Sequence, residues 1–325
     1  MPEWNFIDGI KRTQILDVNQ KWISALNAAF NSKATCFQSN YPVNAGAATS
    51  SGKTVYGSNH EMSITDTVTH GEEAVIASAL EKYGKNDKIE VIAFLGLDGI
   101  YLDIPKPCGN CRDAIKQYTD LEKLILINAP KLGGNAIVVP GKSYFFENYE
   151  NVSGAEKQLI LDSAALQESL NAEKMAYDIY SSIFSPKIYG AAILCENNLV
   201  FRGSFRGNVS YHPELPISSV ISNFRDGSND PNRKKVKAII VSSTCNLPNV
   251  MYKDRQDALE FAEAIQSLNN NSGIPLPVYL INADTKIQNS KIYKTDTYQW
   301  LPYSFSPKNL GMEKKIVEGY RKLFL

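Results

Sequence analysis

Four residues in the amino-terminal half have the types and spacing of a catalytic metal site: His70, Glu72, Cys108 and Cys111. Cys108 and Cys111 stand three apart at the predicted start of a helix, where both thiols face one point. The positive end of the helix dipole favours the thiolate forms that zinc requires. His70 stands two residues before Glu72 at another predicted helix start, so the imidazole binds the metal while the carboxylate reaches a neighbouring water. Because catalytic zinc has three protein ligands and structural zinc has four, we expect one catalytic Zn²⁺ per chain.

Cys108 and Cys111 alone are ambiguous, since a lone C-x-x-C pair also fits a redox pair or a fragment of a zinc ribbon. The upstream His70 and Glu72 favour the metal site. H-x-E combined with P-C-x-x-C is the general signature of zinc deaminases. In such a centre zinc lowers the pKa of a water molecule from about 16 toward about 7, and we expect Glu72 to transfer the protons.

The surrounding sequence resembles the two-domain, histidine-ligated cytidine deaminases that work as homodimers. Residues 41–72 align with that family without a gap, and Cys111 and Arg112 match its P-C-G-x-C-R motif. Residues 300–307 resemble its closing L-L-P-x-x-F-G-P segment. The resemblance covers nearly the whole chain, strongly at residues 41–116 and weakly elsewhere.

The resemblance implies which residues contact a substrate. Asn59 and Glu61 stand where the family's Asn-x-Glu binds the ribose, and Tyr41 stands at its strand-borne aromatic position. Phe305 would close the pocket, and Tyr211 would line the site of the partner chain in a homodimer. Core packing is the alternative for Tyr41 and Tyr211. A site built around a free 3′-hydroxyl of the sugar would exclude polynucleotides as substrates.

The composition limits the size of the fold and the choice of partner. The 325 residues suggest two domains. The 34 basic and 34 acidic residues cancel, which leaves no basic field for a nucleic-acid backbone. No apolar run approaches the roughly 18 residues that cross a bilayer, and residues 1–13 lack the pattern of a signal peptide. We expect a cytoplasmic protein that acts on a small nucleoside, without nucleic-acid or membrane partners.

The two halves share an α/β pattern and a pair of glycine motifs. Gly46-Ala-Ala and Gly190-Ala-Ala each lead to a Gly-Ser pair, which begins at Gly57 in the first half and at Gly203 in the second. We therefore predict a duplicated three-layer α/β/α domain with a mixed sheet flanked by helices. Its copies are a catalytic zinc-binding domain at residues 1–150 and a degenerate domain without zinc at residues 151–325.

The pattern also predicts individual elements. Helical spacing occurs in three segments of the first half, and apolar strand patterns occur in three more. The helices are predicted at 15–30, 72–83 and 111–121, the strands at 90–95, 124–127 and 136–139, with two short strands around a turn at 50–53 and a polar linker at 147–156.

The second half keeps no set of metal ligands. Another H-x-E occurs at residues 212–214, but counting along the repeat places Pro216 and Ser218 at the positions of the metal-binding histidine and the catalytic glutamate. The region equivalent to P-C-x-x-C, residues 250–255, has no cysteine. We expect this half to be catalytically inactive.

These residues predict hydrolytic deamination of cytidine and 2′-deoxycytidine to uridine and 2′-deoxyuridine, with release of ammonia, in pyrimidine salvage. Two enzymatic alternatives are a modified or antibiotic cytosine nucleoside and a base in a polynucleotide, although the neutral charge argues against the polynucleotide. A third alternative is a catalytically silent, zinc-stabilised protein that binds nucleosides. The intact Glu72 weighs against it, because a structural site needs no proton shuttle.

Overall fold

The chain forms two compact units, each built around one six-stranded sheet. The computed structural model describes residues 1–37, 39–61, 68–96, 104–145, 147–176, 189–206, 214–227, 235–304 and 313–323. The first unit comprises Met1–Phe146 with Pro302–Phe305, and the second comprises Glu147–Leu301 with Ser306–Leu325. The assignment of catalysis to one domain and degeneracy to the other stays a prediction.

The first unit contains a mixed sheet. Its elements in chain order are β1 (Trp4–Asp8), α1 (Gln20–Phe30), β2 (Asn44–Thr49), β3 (Thr54–Ser58), α2 (Gly71–Tyr83), β4 (Ile89–Gly96), α3 (Gly109–Tyr118), β5 (Ile125–Pro130) and β6 (Gly134–Pro140). The strand order is β1-β6-β5-β4-β2-β3. The β1–β6 and β4–β5 pairs are parallel, and the other neighbours are antiparallel.

Helices cover both faces of this sheet because successive side chains of a strand point to opposite faces. Leu95 of β4 packs in one buried cluster with Leu26 of α1. Phe94 of the same strand packs in another with Val75 of α2 and Ile115 of α3. The first unit is therefore a three-layer arrangement, with α1 on one face and with α2 and α3 on the other.

The second unit repeats the plan. Its elements are β7 (Glu150–Asn151), α4 (Gly154–Leu161), α5 (Ala164–Lys174), β8 (Gly190–Cys195), β9 (Val200–Ser204), α6 (Pro216–Asp226), β10 (Val236–Ser243), α7 (Tyr252–Leu268), β11 (Pro277–Asn282), β12 (Lys291–Asp296), α8 (Thr297–Trp300) and α9 (Glu313–Leu323). The strand order is β7-β12-β11-β10-β8-β9, with β10 and β11 parallel. The predicted α/β class, with two mixed sheets flanked by helices, is confirmed.

The glycine motifs of the repeat have a common packing role. A Cβ atom on Gly46 would lie 2.2 Å from the carbonyl oxygen of Ala25 in α1. A Cβ atom on Gly190 would lie 1.8 Å from the carbonyl oxygen of Ser169 in α5. In both units, therefore, a helix crosses the first strand of the motif so closely that only glycine fits.

Several predicted boundaries are wrong. The first helix begins at Gln20, not at residue 15, because the side chain of Asn19 accepts a hydrogen bond from the backbone N–H of Lys21 and caps the helix there. The predicted polar linker at 147–156 contains β7 and the first residues of α4. Within the described residues, no helix combines the length and apolar character needed to span a membrane.

Candidate metal centre

The starts of α2 and α3 carry the predicted metal ligands. His70 is the N-cap residue of α2, and Cys108 is the N-cap residue of α3. Cys111 lies in the first turn of α3 and is fully buried. A Glu73 carboxylate oxygen accepts a hydrogen bond from the backbone N–H of His70 at 3.1 Å, which fixes the entry into α2. The predicted helix starts at both motifs are confirmed.

The three ligand atoms form a compact triangle. Nδ1 of His70 lies 3.2 Å from the Sγ atom of Cys108 and 3.2 Å from that of Cys111, and the two sulfurs are 3.5 Å apart. Tetrahedral zinc, with bonds of about 2.3 Å to sulfur and about 2.1 Å to nitrogen, separates its ligands by about 3.5–3.8 Å. One imidazole and two thiols therefore fit Zn²⁺ after shifts of a few tenths of an ångström. Among the described residues, this is the one group of three or more His, Cys, Asp or Glu side chains placed for a metal ion.

The protonation of these ligands is tightly linked. The Cys111 thiol, and then the His70 imidazole, hold the pKa of Cys108 below its ordinary value. Burial raises the pKa of Cys111. The hydrogen bond to Cys108 raises the pKa of His70 to about 10. The group thus favours a thiolate beside a protonated imidazole, and a divalent cation would take the place of the shared proton.

Glu72 lies beside this triangle in the first turn of α2. Its side chain is buried, and burial followed by the charge of Cys108 raises its pKa to about 7. A positive ion at the three ligands would lower that pKa, because a nearby opposite charge favours the carboxylate. Glu72 is therefore a titratable carboxylate placed beside the ligands, where it can accept and return a proton.

The predicted sugar-contact residues lie on a segment paired with the residue before His70. The backbones of His60 and Thr69 exchange two hydrogen bonds of 3.0 Å. Asn59 and Glu61 flank His60 and are both buried, whereas His60 is exposed. Consecutive residues of an extended segment point to opposite sides, so Asn59 and Glu61 share the inner side.

Asn59 and Tyr41 are linked through the backbone. The Asn59 side chain donates to the carbonyl oxygen of Tyr41 at 2.9 Å and accepts from the N–H of Val43 at 2.7 Å. Tyr41 itself is half-buried. Tyr211 and Phe305 lie outside the described residues, so their assigned roles stay predictions.

Arg112 has a structural role that the sequence did not indicate. The side chain is fully buried, and its guanidinium donates to the carbonyl oxygens of Pro107 at 2.9 Å and Tyr144 at 3.1 Å. These bonds fix the turn that presents Cys108. The matching Arg255 in the second unit donates to the carbonyl oxygens of Val250 and Trp300.

The second unit lacks this set of ligands at the matching positions. Because Arg112 and Arg255 make matching hydrogen bonds, Cys108 corresponds to Met251 and Cys111 corresponds to Asp254.

The register predicted for α6 is wrong by one residue. The N-cap residue of α6 is Leu215, so Leu215 and Ile217, not Pro216 and Ser218, match His70 and Glu72. The physical reason is a shorter connection: His70 follows Gly57 by 13 residues, whereas Leu215 follows Gly203 by 12.

An imidazole and two thiols at neighbouring helix starts, with a buried carboxylate two residues after the histidine, define a centre of the zinc-deaminase class. Comparison with known proteins agrees with this class. Residues 19–127 match the family described as the cytidine and deoxycytidylate deaminase zinc-binding region. This part of the chain, which includes Asn59, Glu61 and the candidate metal centre, is thus similar to the zinc-binding region of that family.

Individual relatives are distant. A cytidine deaminase of Histophilus somni (strain 2336) is 24% identical over 196 residues, which are 57% of this chain and 59% of that protein. A crystal structure of cytidine deaminase from Burkholderia pseudomallei is 25% identical, covers 39% of this chain and 95% of its own, and has a TM-score of 0.32. A crystal structure of cytidine deaminase from Mycobacterium tuberculosis is 23% identical, covers 34% of this chain and 85% of its own, and has a TM-score of 0.28.

Proposed function

We propose that this protein hydrolyses cytidine and 2′-deoxycytidine to uridine and 2′-deoxyuridine, with release of ammonia, as a step of pyrimidine salvage. The observation that carries the proposal is the compact group of His70, Cys108 and Cys111, with ligand atoms within 4.8 Å of one another, beside the buried Glu72. The family match supports deamination of a nucleoside in general. The choice of substrate rests on the resemblance around Asn59 and Glu61.

His70 Nδ1 and the Sγ atoms of Cys108 and Cys111 would hold Zn²⁺. When bound, zinc lowers the pKa of a water molecule to about 7 and so supplies a nucleophile near neutral pH. The Cys111 thiol and the His70 imidazole favour the thiolate form of Cys108, and the hydrogen bonds of Arg112 hold the Cys108 turn in place.

Glu72 would carry the protons of the reaction. Its carboxylate takes one proton from the attacking water and delivers it to N3 of the base while the water oxygen bonds to C4. It then moves the second proton from that oxygen to the amino group, which leaves as ammonia when the C4–N bond breaks. One water is consumed, and the base becomes a uracil with a proton on N3.

Asn59 and Glu61 would hydrogen-bond the sugar hydroxyl and the base edge and so orient C4 toward the attacking water. Tyr41 would contact the base. We also propose a homodimer in which Tyr211 lines the partner's site, with Phe305 closing the pocket.

Ammonia release by the zinc-loaded protein tests the proposal. The panel contains cytidine, 2′-deoxycytidine, 2′-deoxycytidine 5′-phosphate, adenosine and a cytosine-containing single-stranded DNA. We expect turnover of the two cytosine nucleosides, with kcat/KM about a hundredfold or more above the other compounds. Turnover only of the phosphate or the DNA would contradict the nucleoside assignment. Binding of cytidine without ammonia release would favour a silent nucleoside-binding protein.

A further inference from the structure

Ser39 holds the carboxylate of Glu61 at both oxygens. The Ser39 hydroxyl donates to Oε1 of Glu61, and the Ser39 backbone N–H donates to Oε2 at 3.0 Å. Glu61 is buried, with 7% of its surface exposed. A buried carboxylate held by two donors has one orientation, because any rotation would leave the charge without these bonds.

The Ser39 hydroxyl is itself fixed. Its oxygen accepts a hydrogen bond from the backbone N–H of Tyr41 at 3.1 Å while its proton is donated to Glu61. The carbonyl oxygen of Tyr41 in turn accepts from the side chain of Asn59 at 2.9 Å. Ser39 therefore links the Glu61 carboxylate to the backbone of Tyr41. The same backbone also accepts the hydrogen bond from Asn59.

The segments around these residues are also tied through their backbones. The N–H of Thr35 donates to the carbonyl oxygen of Asn59 at 3.0 Å, and the N–H of Glu61 donates to the carbonyl oxygen of Thr35 at 2.8 Å. These bonds place the Glu61 backbone independently of Ser39. Loss of the Ser39 hydroxyl would thus change the orientation of the Glu61 carboxylate more than the position of its chain.

We propose that Ser39 is a positioning residue that sets the sugar specificity of this site by fixing the Glu61 carboxylate toward the 3′-hydroxyl of the nucleoside. This inference rests on the proposed function. A carboxylate has about four acceptor sites, and Ser39 engages two of those of Glu61. Ser39 acts on binding of the sugar and has no part in proton transfer, so it affects KM more than kcat.

The test combines Ser39→Ala with two substrates that differ only in the 3′-hydroxyl, 2′-deoxycytidine and 2′,3′-dideoxycytidine. For 2′-deoxycytidine we expect Ser39→Ala to lower kcat/KM about tenfold, almost entirely through KM. For 2′,3′-dideoxycytidine we expect a change of less than about twofold, because the hydroxyl that Glu61 would bind is absent. Ser39→Thr keeps a hydroxyl and should restore most of the affinity.

Ser51 provides a matched control. Its hydroxyl and backbone N–H both donate to the carboxylate of Asp87, at 2.6 and 3.0 Å, in the turn between β2 and β3. This pair repeats the geometry of Ser39 and Glu61 outside the candidate site. Ser51→Ala should leave KM for both substrates unchanged, although it removes a similar bond from a serine hydroxyl to a carboxylate.

The outcomes separate the inference from the proposed function. Equal losses on both substrates, a loss confined to kcat, or a lower KM for Ser39→Ala would overturn the inference while leaving deamination intact. A wild-type protein that releases no ammonia from any cytosine nucleoside would overturn both. If Ser39→Ala does not fold, Ser39→Cys keeps the size with a weaker donor, and the same difference between the two substrates is expected.

Discussion

The Asp254 carboxylate accepts a hydrogen bond from the backbone N–H of Ile217 at 2.9 Å, at the place in the second unit that matches Cys111 in the first. It also accepts from the N–H of Ser218 at 2.9 Å and from the Tyr189 hydroxyl at 3.0 Å. These N–H groups belong to the first turn of α6, where an N-cap leucine offers no side-chain acceptor. Asp254 thus joins α7 to the start of α6, as a metal would join α3 to α2.

We expect Asp254→Ala to destabilise the second unit by about 2–4 kcal/mol, because it removes the acceptor of the N–H groups of the buried Ile217 and the half-buried Ser218. Urea unfolding, with hydrogen exchange of residues 214–227, measures this loss. Asp296 is the control, since it accepts from two N–H groups of α8 at a half-exposed helix start. Asp296→Asn should cost less than about 1 kcal/mol. If hydrogen exchange in α6 is the same in Asp254→Ala as in the wild-type protein, this carboxylate does not hold the helix.

The stability of the second unit should depend on pH through the same residue. Burial raises the pKa of Asp254 to about 7 from an ordinary value of 3.8. The folded state therefore binds more protons than the unfolded state between these values, so the free energy of unfolding falls as pH rises through 7. The expected loss between pH 5 and pH 8 is on the order of a few kcal/mol. In urea unfolding, Asp254→Asn should remove this dependence of the free energy of unfolding on pH. If the variant keeps the same dependence, other groups cause it.

Removal of zinc should affect the two units differently. A ligand at about a thousand times its Kd stabilises the folded state by about 4 kcal/mol. We therefore expect dialysis against a chelator to lower the Tm of the first unit by about 10 °C and to abolish ammonia release. Hydrogen exchange of α6 and α7 should not change, since Asp254 replaces a metal ligand there. Added Zn²⁺ should restore both properties, and a uniform loss of protection in both units would contradict the assignment of a single site.

The sequence predicted the grouping of His70, Cys108 and Cys111 better than the elements around it. The H-x-E and P-C-x-x-C motifs are local, and each includes the residue that begins its helix, so the starts of α2 and α3 followed directly. β1 was missed because it pairs with β6, whose partner residues lie about 130 positions away in the chain. The α6 register was wrong by one residue because the connection before it is shorter than its counterpart.

The polar contacts of Ser39 and Asp254 had no recognisable sequence pattern. Ser39 and Glu61 are 22 residues apart, and Asp254 and Ile217 are 37 apart. Neither spacing is typical of a helix or strand, so only the folded chain brings these pairs together. The loss of the cysteine at position 254 was visible in the sequence, but its replacement by a helix-capping carboxylate was not.

The most direct test of the account is ammonia release from cytidine by Glu72→Gln, with the zinc content measured on the same sample. We predict about one zinc per chain and a loss of kcat of at least about 10³-fold, because the proton carrier is removed while all three metal ligands remain. Glu81→Gln, an exposed glutamate on the same helix, should retain full activity. Retained turnover in Glu72→Gln, or two zinc ions per chain, would contradict the single-site assignment.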